Sequence, residues 1–247
     1  MSGAKVILVT GSNTGIGFEL VKLLAAKGHT VYLASRGEKA GLAAIDEVKK
    51  DNVKFVQLDV TDIKSVEAAA AKIKSAEGRL DVLVNNAGIA KMEVAHSALE
   101  PNYDAIRATF ETNLMGTMQT TTTFLPLLRA SSTPAAPAVI VNVSTDMSSN
   151  TVMASGKAPG FLHKFIAYNT SKAAQNSYTI ALAQELSGEG IKVNAVTPGF
   201  TSTKLNGFGE GGKTSVQGAE IVLPWCLLGK DGKTGAFGGP DGGAFPW

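Results

Sequence analysis

Cysteine, histidine and aromatic residues are scarce in this chain, and each scarcity removes a class of function. A single cysteine, Cys226, excludes an intrachain disulfide. It lies in the apolar stretch 222–228, which reads as packing, and a buried thiol is ordinarily inert. The three histidines, His29, His96 and His163, have no cysteines or carboxylates beside them at ligand spacing, so no metal site is expected. The 23 basic and 21 acidic residues nearly cancel, leaving a net charge of +2. With no basic stripe interleaved with aromatics, nucleic acid is not an expected partner. No apolar run approaches the about 18 residues that a membrane span needs. A strand-like run begins at Lys5, which leaves no room for a signal peptide in the chain as given. The expected compartment is therefore the cytoplasm, and the glycosylation patterns at Asn142 and Asn169 read as chance.

What is present is alternation. Short β-branched runs lie at 6–10, 30–35, 53–59, 81–85, 138–143 and 192–196, and most are nearly continuous in apolar residues, as parallel strands buried on both faces are. A seventh short strand is expected near 235–239. Ile16, Leu20, Leu23 and Leu24 form a helical stripe stopped by Gly28. Residues 68–73 read as helix ending at Gly78, and 165–186 as a long helix ending near Gly188 and Gly190. Residues 131–138 read as a loop, 207–212 as a mobile glycine-rich segment, and the tail 235–247 as non-helical. The whole predicts an α/β fold, one doubly wound parallel sheet of about seven strands flanked by helices, in a single domain over 1–247.

The first strand runs into Thr10-Gly11-Ser12-Asn13-Thr14-Gly15-Ile16-Gly17, and a helix follows. Glycines there let the backbone adopt positive φ and let a diphosphate approach the helix N-terminus. A glycine-rich turn without a ligand is the plainer alternative. After the second strand comes Ser35-Arg36 rather than an acidic residue. Arg36 suits the 2′-phosphate of NADP, so NADP(H) is favoured over NAD(H). Arg36 as an ordinary surface residue stays open, Lys39 could assist, and Glu38 lies close by. In the long helix, Tyr168 and Lys172 stand four apart on one face. A fixed cation beside a phenol lowers its pKa and makes it a usable acid or base. Taken alone, such a pair is most often ordinary helix surface.

In this order the motifs resemble the short-chain dehydrogenase/reductase family, and its carbonyl-reductase-like members in particular. The matching residues are Thr10–Gly17, Asp59-Val60, Asn85-Asn86-Ala87-Gly88, Asn113, Tyr168/Lys172, and Pro198-Gly199 followed by Thr203. The resemblance implies a Rossmann-type fold and a role for each position. Gly11, Gly15 and Gly17, with Ser12, Asn13, Thr14 and Ile16 between them, would cradle the diphosphate. Asp59 and Val60 would meet the adenine. Asn86, Ala87 and Gly88 would line the inner edge of the coenzyme site. Asn113 would hold a backbone kink and a water in a proton relay through Lys172. Lys172 would also bind the nicotinamide ribose, and Pro198, Gly199 and Thr203 would position the carboxamide.

Two features depart from the family pattern. Its carbonyl-orienting serine falls here on Thr145, with Ser144 and Ser148 as alternatives. The same hydroxyls could merely satisfy loop backbone. Tyr168 follows Thr145 by 23 positions, against about a dozen in the family as the resemblance implies, and long loops inside compact domains tend to be functional. Expected substrate loops are 89–100, 146–164 and 200–216, whose Met92, Met147, Met153, Phe161, Phe200 and Phe208 would suit a bulky apolar carbonyl compound. His163, in the middle loop, is a minor catalytic candidate. The expected activity is NADPH-dependent reduction of a ketone or aldehyde, reversible to alcohol oxidation, with Tyr168 as general acid/base. The rivals are a cofactor-binding regulatory protein and a non-redox enzyme on the same scaffold. A monomer, or a homodimer through helices 116–128 and 165–186, is expected.

Overall fold

A computed structural model of the chain describes residues 3–94 and 97–247; His96 lies outside the described residues. Seven strands form one sheet: β1 Val6–Val9, β2 Thr30–Ser35, β3 Val53–Gln57, β4 Val82–Asn85, β5 Val139–Val143, β6 Lys192–Val196 and β7 Phe237–Gly238. The order is β3-β2-β1-β4-β5-β6-β7 and every pairing is parallel. Several apolar runs in the sequence overshoot their strands by a residue or two, because strand ends are set by hydrogen bonding. Thr10 is one such residue. It already leaves the ladder to accept, through its hydroxyl, the N–H groups of Asn86 and Ala87.

Eight α-helices connect the strands: α1 Gly15–Ala26, α2 Glu38–Val48, α3 Ile63–Glu77, α4 Tyr103–Phe110, α5 Gly116–Ser131, α6 Asn150–Ala154, α7 Ile166–Glu185 and α8 Ser215–Cys226. Strand side chains alternate between two buried layers. Val6, Leu8 and Ile140 pack with α3, α5 and α7 through Ile73, Phe124 and Leu182. Ile7, Val9 and Val141 pack with α1, α2 and α8 through Leu20, Val48 and Trp225. Cys226 sits fully buried in the second layer, where burial raises its thiol pKa and keeps it unreactive. Among the described residues no helix is long and apolar enough to cross a membrane.

Two local features position the site. The chain leaves β1 toward β2 and β3, then crosses back to β4 on the other side, so a crevice opens beyond the carboxyl ends of β1 and β4. Between α4 and α5 the helix widens into one π-helical turn, Glu111–Met115, that carries Asn113.

Candidate active site

The crevice is lined first by the turn after β1. Gly11 and Gly15 have φ of +58° and +62°, a conformation that favours glycine. A Cβ on Gly11 would lie 2.7 Å from Ala87 Cα, and one on Gly17 would lie 2.9 Å from Ser12 Cα and collide with the Asn86 amide. The turn is therefore closed against the β4 edge. At the start of α1, Thr14 makes no side-chain cap and the first turn holds no acidic residue, so its free N–H groups and positive dipole end are open to an anion. Thr203 stands across from Gly15. Together these features fit a dinucleotide diphosphate. Ser12 takes a different part from the one its place in the turn suggests. Its N–H and hydroxyl are bound to the carbonyls of Ala34 and Val9, and it braces β1 against β2. Asn86 works from behind, donating to the carbonyls of Thr10 and Gly11.

The outer residues lie beyond β2 and β3. Arg36 is exposed and pairs with no carboxylate among the described residues. Asp59 accepts the N–H and hydroxyl of Thr61 at 2.9 and 2.7 Å through one carboxylate oxygen. Val60 is buried against Gly116. Pro198 and Gly199 follow β6, and Gly199 has φ +70°.

The reacting groups gather at the carboxyl end of β5. Tyr168 and Lys172 occupy the inward face of α7 and are 6% and 3% exposed. The Lys172 ammonium donates to the Val143 carbonyl at 2.7 Å and to Gln175 Oε1 at 3.1 Å. Burial pulls its pKa down to about 7. The Tyr168 phenol is raised above its ordinary value, by burial first and then by the Asp146 carboxylate, against a smaller opposing hydrogen bond with Thr145. The Lys172 ammonium, one turn later on the same helix face, is held by Val143 and Gln175. In this geometry Tyr168 is held in its protonated form.

Of the three hydroxyl candidates, Thr145 is the one beside the phenol. It donates to Asp146 Oδ1 at 3.1 Å. Ser144 and Ser148 are committed to a buried cluster with Asn176, at 2.8 Å each to its amide, and Ser148 also donates to the Thr145 carbonyl. Asn113 is fully buried. Its amide clamps the N–H and carbonyl of Ile89, both at 2.9 Å, and donates to Ser171. A Cβ on Gly88 would lie 3.2 Å from Asn113 Oδ1 and 3.7 Å from Lys172 Nζ, so these three residues meet at one point.

On the substrate side, a cavity of about 190 Å³ is lined by Asp146, Met147, Val152, Met153, Lys157 and Leu162, among others. All of them lie in the long segment after β5. Leu99, Phe161, Phe200, Leu205 and Phe208 are exposed on the three expected substrate loops. His163 is exposed in the short 3-10 turn Gly160–Lys164 and makes no bond to the reacting groups. Asp146, Gln175 and Thr117 were not singled out by the sequence reading. A polar Gln175 on the inward face of α7 was the available signal, since buried polar residues are the informative exceptions.

The family described as short chain dehydrogenase matches residues 5–210. The chain belongs to the short-chain dehydrogenase/reductase family and is a carbonyl-reductase-like oxidoreductase within it. It is 34% identical to short-chain dehydrogenase/reductase 1 of Saponaria officinalis, covering 93% of this chain and 92% of that one. It is 32% identical to salutaridine reductase of Papaver bracteatum, with the same coverage of 93% and 92%. Among solved structures, NADPH-bound carbonyl reductase from chicken fatty liver superimposes with a TM-score of 0.86 at 27% identity, covering 100% of both chains.

Proposed function

We propose that the chain is an NADPH-dependent reductase that converts a ketone or aldehyde to an alcohol, reversibly, with Tyr168 as the general acid/base. The observation that carries this reading is the convergence of Tyr168, Thr145 and Lys172 at the end of β5, beside an open glycine cradle. When bound, the nicotinamide coenzyme supplies the hydride. The backbone of Gly11, Asn13, Thr14, Gly15, Ile16 and Gly17 holds the diphosphate. Arg36 pairs with the 2′-phosphate, a forked contact open to it because no carboxylate among the described residues occupies its guanidinium. Asp59 keeps one carboxylate oxygen for the adenine amine, beside Val60. Ala87 and Gly88 line the inner edge, Lys172 holds the ribose, and Pro198, Gly199 and Thr203 hold the carboxamide.

The reduction needs a proton at the carbonyl oxygen. Tyr168 carries one, and burial together with Asp146 keeps it there until the oxygen becomes basic. Thr145 exchanges Asp146 for the carbonyl oxygen and orients it. The exposed Phe161, Phe200 and Phe208 and the methionine-lined cavity suit a bulky apolar carbonyl compound. The reading calls for no nucleic acid, membrane or metal, for a monomer or homodimer, and for the reducing cytoplasm.

The test is a screen of NADPH and NADH oxidation over ketones, aldehydes and quinones. Turnover with NADPH is expected, and Tyr168→Phe is expected to reduce kcat by about 10³-fold with coenzyme affinity retained. A Tyr168→Phe variant with full activity overturns the mechanism.

A further inference from the structure

Behind the reacting pair lies a chain of buried polar side chains that the proposed reaction does not use. Gln175 is fully buried one turn after Lys172, on the same inward face of α7. Its Oε1 accepts from the Lys172 ammonium at 3.1 Å, and its Nε2 donates to Thr117 Oγ1 at 2.8 Å. Thr117, on α5, in turn donates its hydroxyl proton to the Asn113 carbonyl at 2.9 Å.

The direction of each bond follows from the one before it. Thr117 has a single hydroxyl proton, and that proton is committed to Asn113, so its oxygen can only accept from Gln175. Gln175 must then turn its NH₂ toward Thr117, which leaves its carbonyl oxygen toward Lys172. The reverse orientation would set an NH₂ against an ammonium and a carbonyl against a lone pair. The widened turn at Asn113 thereby fixes, through two side chains, an acceptor aimed at a cation on another helix.

We propose that Gln175 is a positioning residue for Lys172: locked by Thr117, it presents a fixed amide oxygen that keeps the ammonium charged and fixed beside Gly88 and Asn113. The proposal rests on the Tyr168/Lys172 reading above and adds to it. A buried amine needs such help. The hydrogen-bonding groups around the ammonium are neutral: the Val143 carbonyl from β5, Gln175 from α7, and Gly88 with Asn113 from the β4 edge and the π-helical turn; the titratable Tyr168 stands one turn earlier on the same face of α7. Desolvation alone shifts it, to about 7, with no charged neighbour contributing. Two fixed acceptors, the Val143 carbonyl and Gln175 Oε1, stand against that loss of hydration. An amide does not readily pass protons along, so this chain of bonds holds the lysine and does not serve as a relay.

The test reads the lysine directly. The Lys172 side chain is followed by carbon NMR through a pH titration of the free protein, assigned with Lys172→Met, in the parent, Gln175→Leu and Thr117→Val. Loss of a hydrogen bond to a charged group is expected to lower the Lys172 titration midpoint by about one pH unit in Gln175→Leu. A smaller shift in the same direction is expected in Thr117→Val, where the amide loses its lock. The basic limb of the kcat/KM profile for carbonyl reduction should move down in parallel, costing about tenfold in rate on that limb. An unchanged Lys172 midpoint in folded Gln175→Leu overturns the proposal. If Gln175→Leu does not fold, Thr117→Val decides it by the same midpoint. Absence of any carbonyl reduction by the parent would instead remove the functional reading and leave the titration result standing. An active Lys172→Met would remove the lysine's role and the proposal with it.

Discussion

The coenzyme side of the crevice and the substrate side hold their shape by different means. On the coenzyme side the backbone is pinned by short, buried hydrogen bonds. Asn86 ties Thr10 and Gly11, Ser12 ties β1 to β2, and Asn113 clamps Ile89 from both sides. Glycines stand wherever a side chain would collide. On the substrate side the chain passes through the short turn Asp146–Ser148, the five-residue helix α6 and the 3-10 turn Gly160–Lys164, and it leaves large apolar side chains facing outward. The first wall is held by hydrogen bonds to its backbone, whereas the second is built of short elements and apolar side chains. Tyr168, Lys172 and Thr145 stand on the seam between them.

That contrast can be broken from either side. The largest effect after loss of the Tyr168 phenol is expected at Gly17→Ala. The added methyl displaces the Asn86 amide and presses on Ser12, so coenzyme affinity should fall about a hundredfold and the melting temperature should drop, as calorimetry with and without NADPH would show. Asp146→Asn probes the seam. Removing the carboxylate lowers the Tyr168 pKa toward its ordinary value, because Asp146 raises it. The pH profile of alcohol oxidation, which uses the phenolate as base, should therefore shift to lower pH by up to about one unit, and its rate at a given pH should gain. An unchanged pH profile would place Asp146 outside the electrostatics of the phenol. The smallest effect is expected at Phe208→Ser on the outer wall. KM for a bulky carbonyl substrate should rise a few-fold, about 1 kcal/mol of lost apolar contact, with coenzyme affinity untouched. A matching loss of NADPH binding would show that the two sides are not separate.

The same contrast governs how much could be read from residues alone. Thr10–Gly17 is legible because its requirement is local: positive φ and close backbone approach select glycine wherever the turn occurs. The strands are legible because burial on both faces makes them continuously apolar. Tyr168 and Lys172 are legible as a pair, since helical spacing puts them on one face, but their electrostatics are not. Spacing suggests a cation beside a phenol; the fold adds two acceptors for that cation, Val143 and Gln175, and the Asp146 carboxylate near the phenol. The family pattern puts Thr145 ahead of Ser144 and Ser148; what residues alone do not show is Asn176, a partner about thirty residues away that claims the two serines. Helices α2, α4, α6 and α8 carry weaker signals. α6 is a single short turn or so, and α8 holds Gly218 and Pro224 inside its span.

The π-helical turn at Glu111–Met115 amounts to one extra residue folded into an otherwise continuous rod. Deleting that residue would let the rod close into a regular helix with α5 still on its face, but the wide turn that sets Asn113 against Ile89 and Ser171 would be lost. The apolar contacts of α5 through Phe124, Leu127 and Leu128 would persist while the Asn113 clamp is lost. For this chain, insertions and deletions between 103 and 131 are thus more consequential than substitutions. One of them would separate a protein that still folds from one that still reacts.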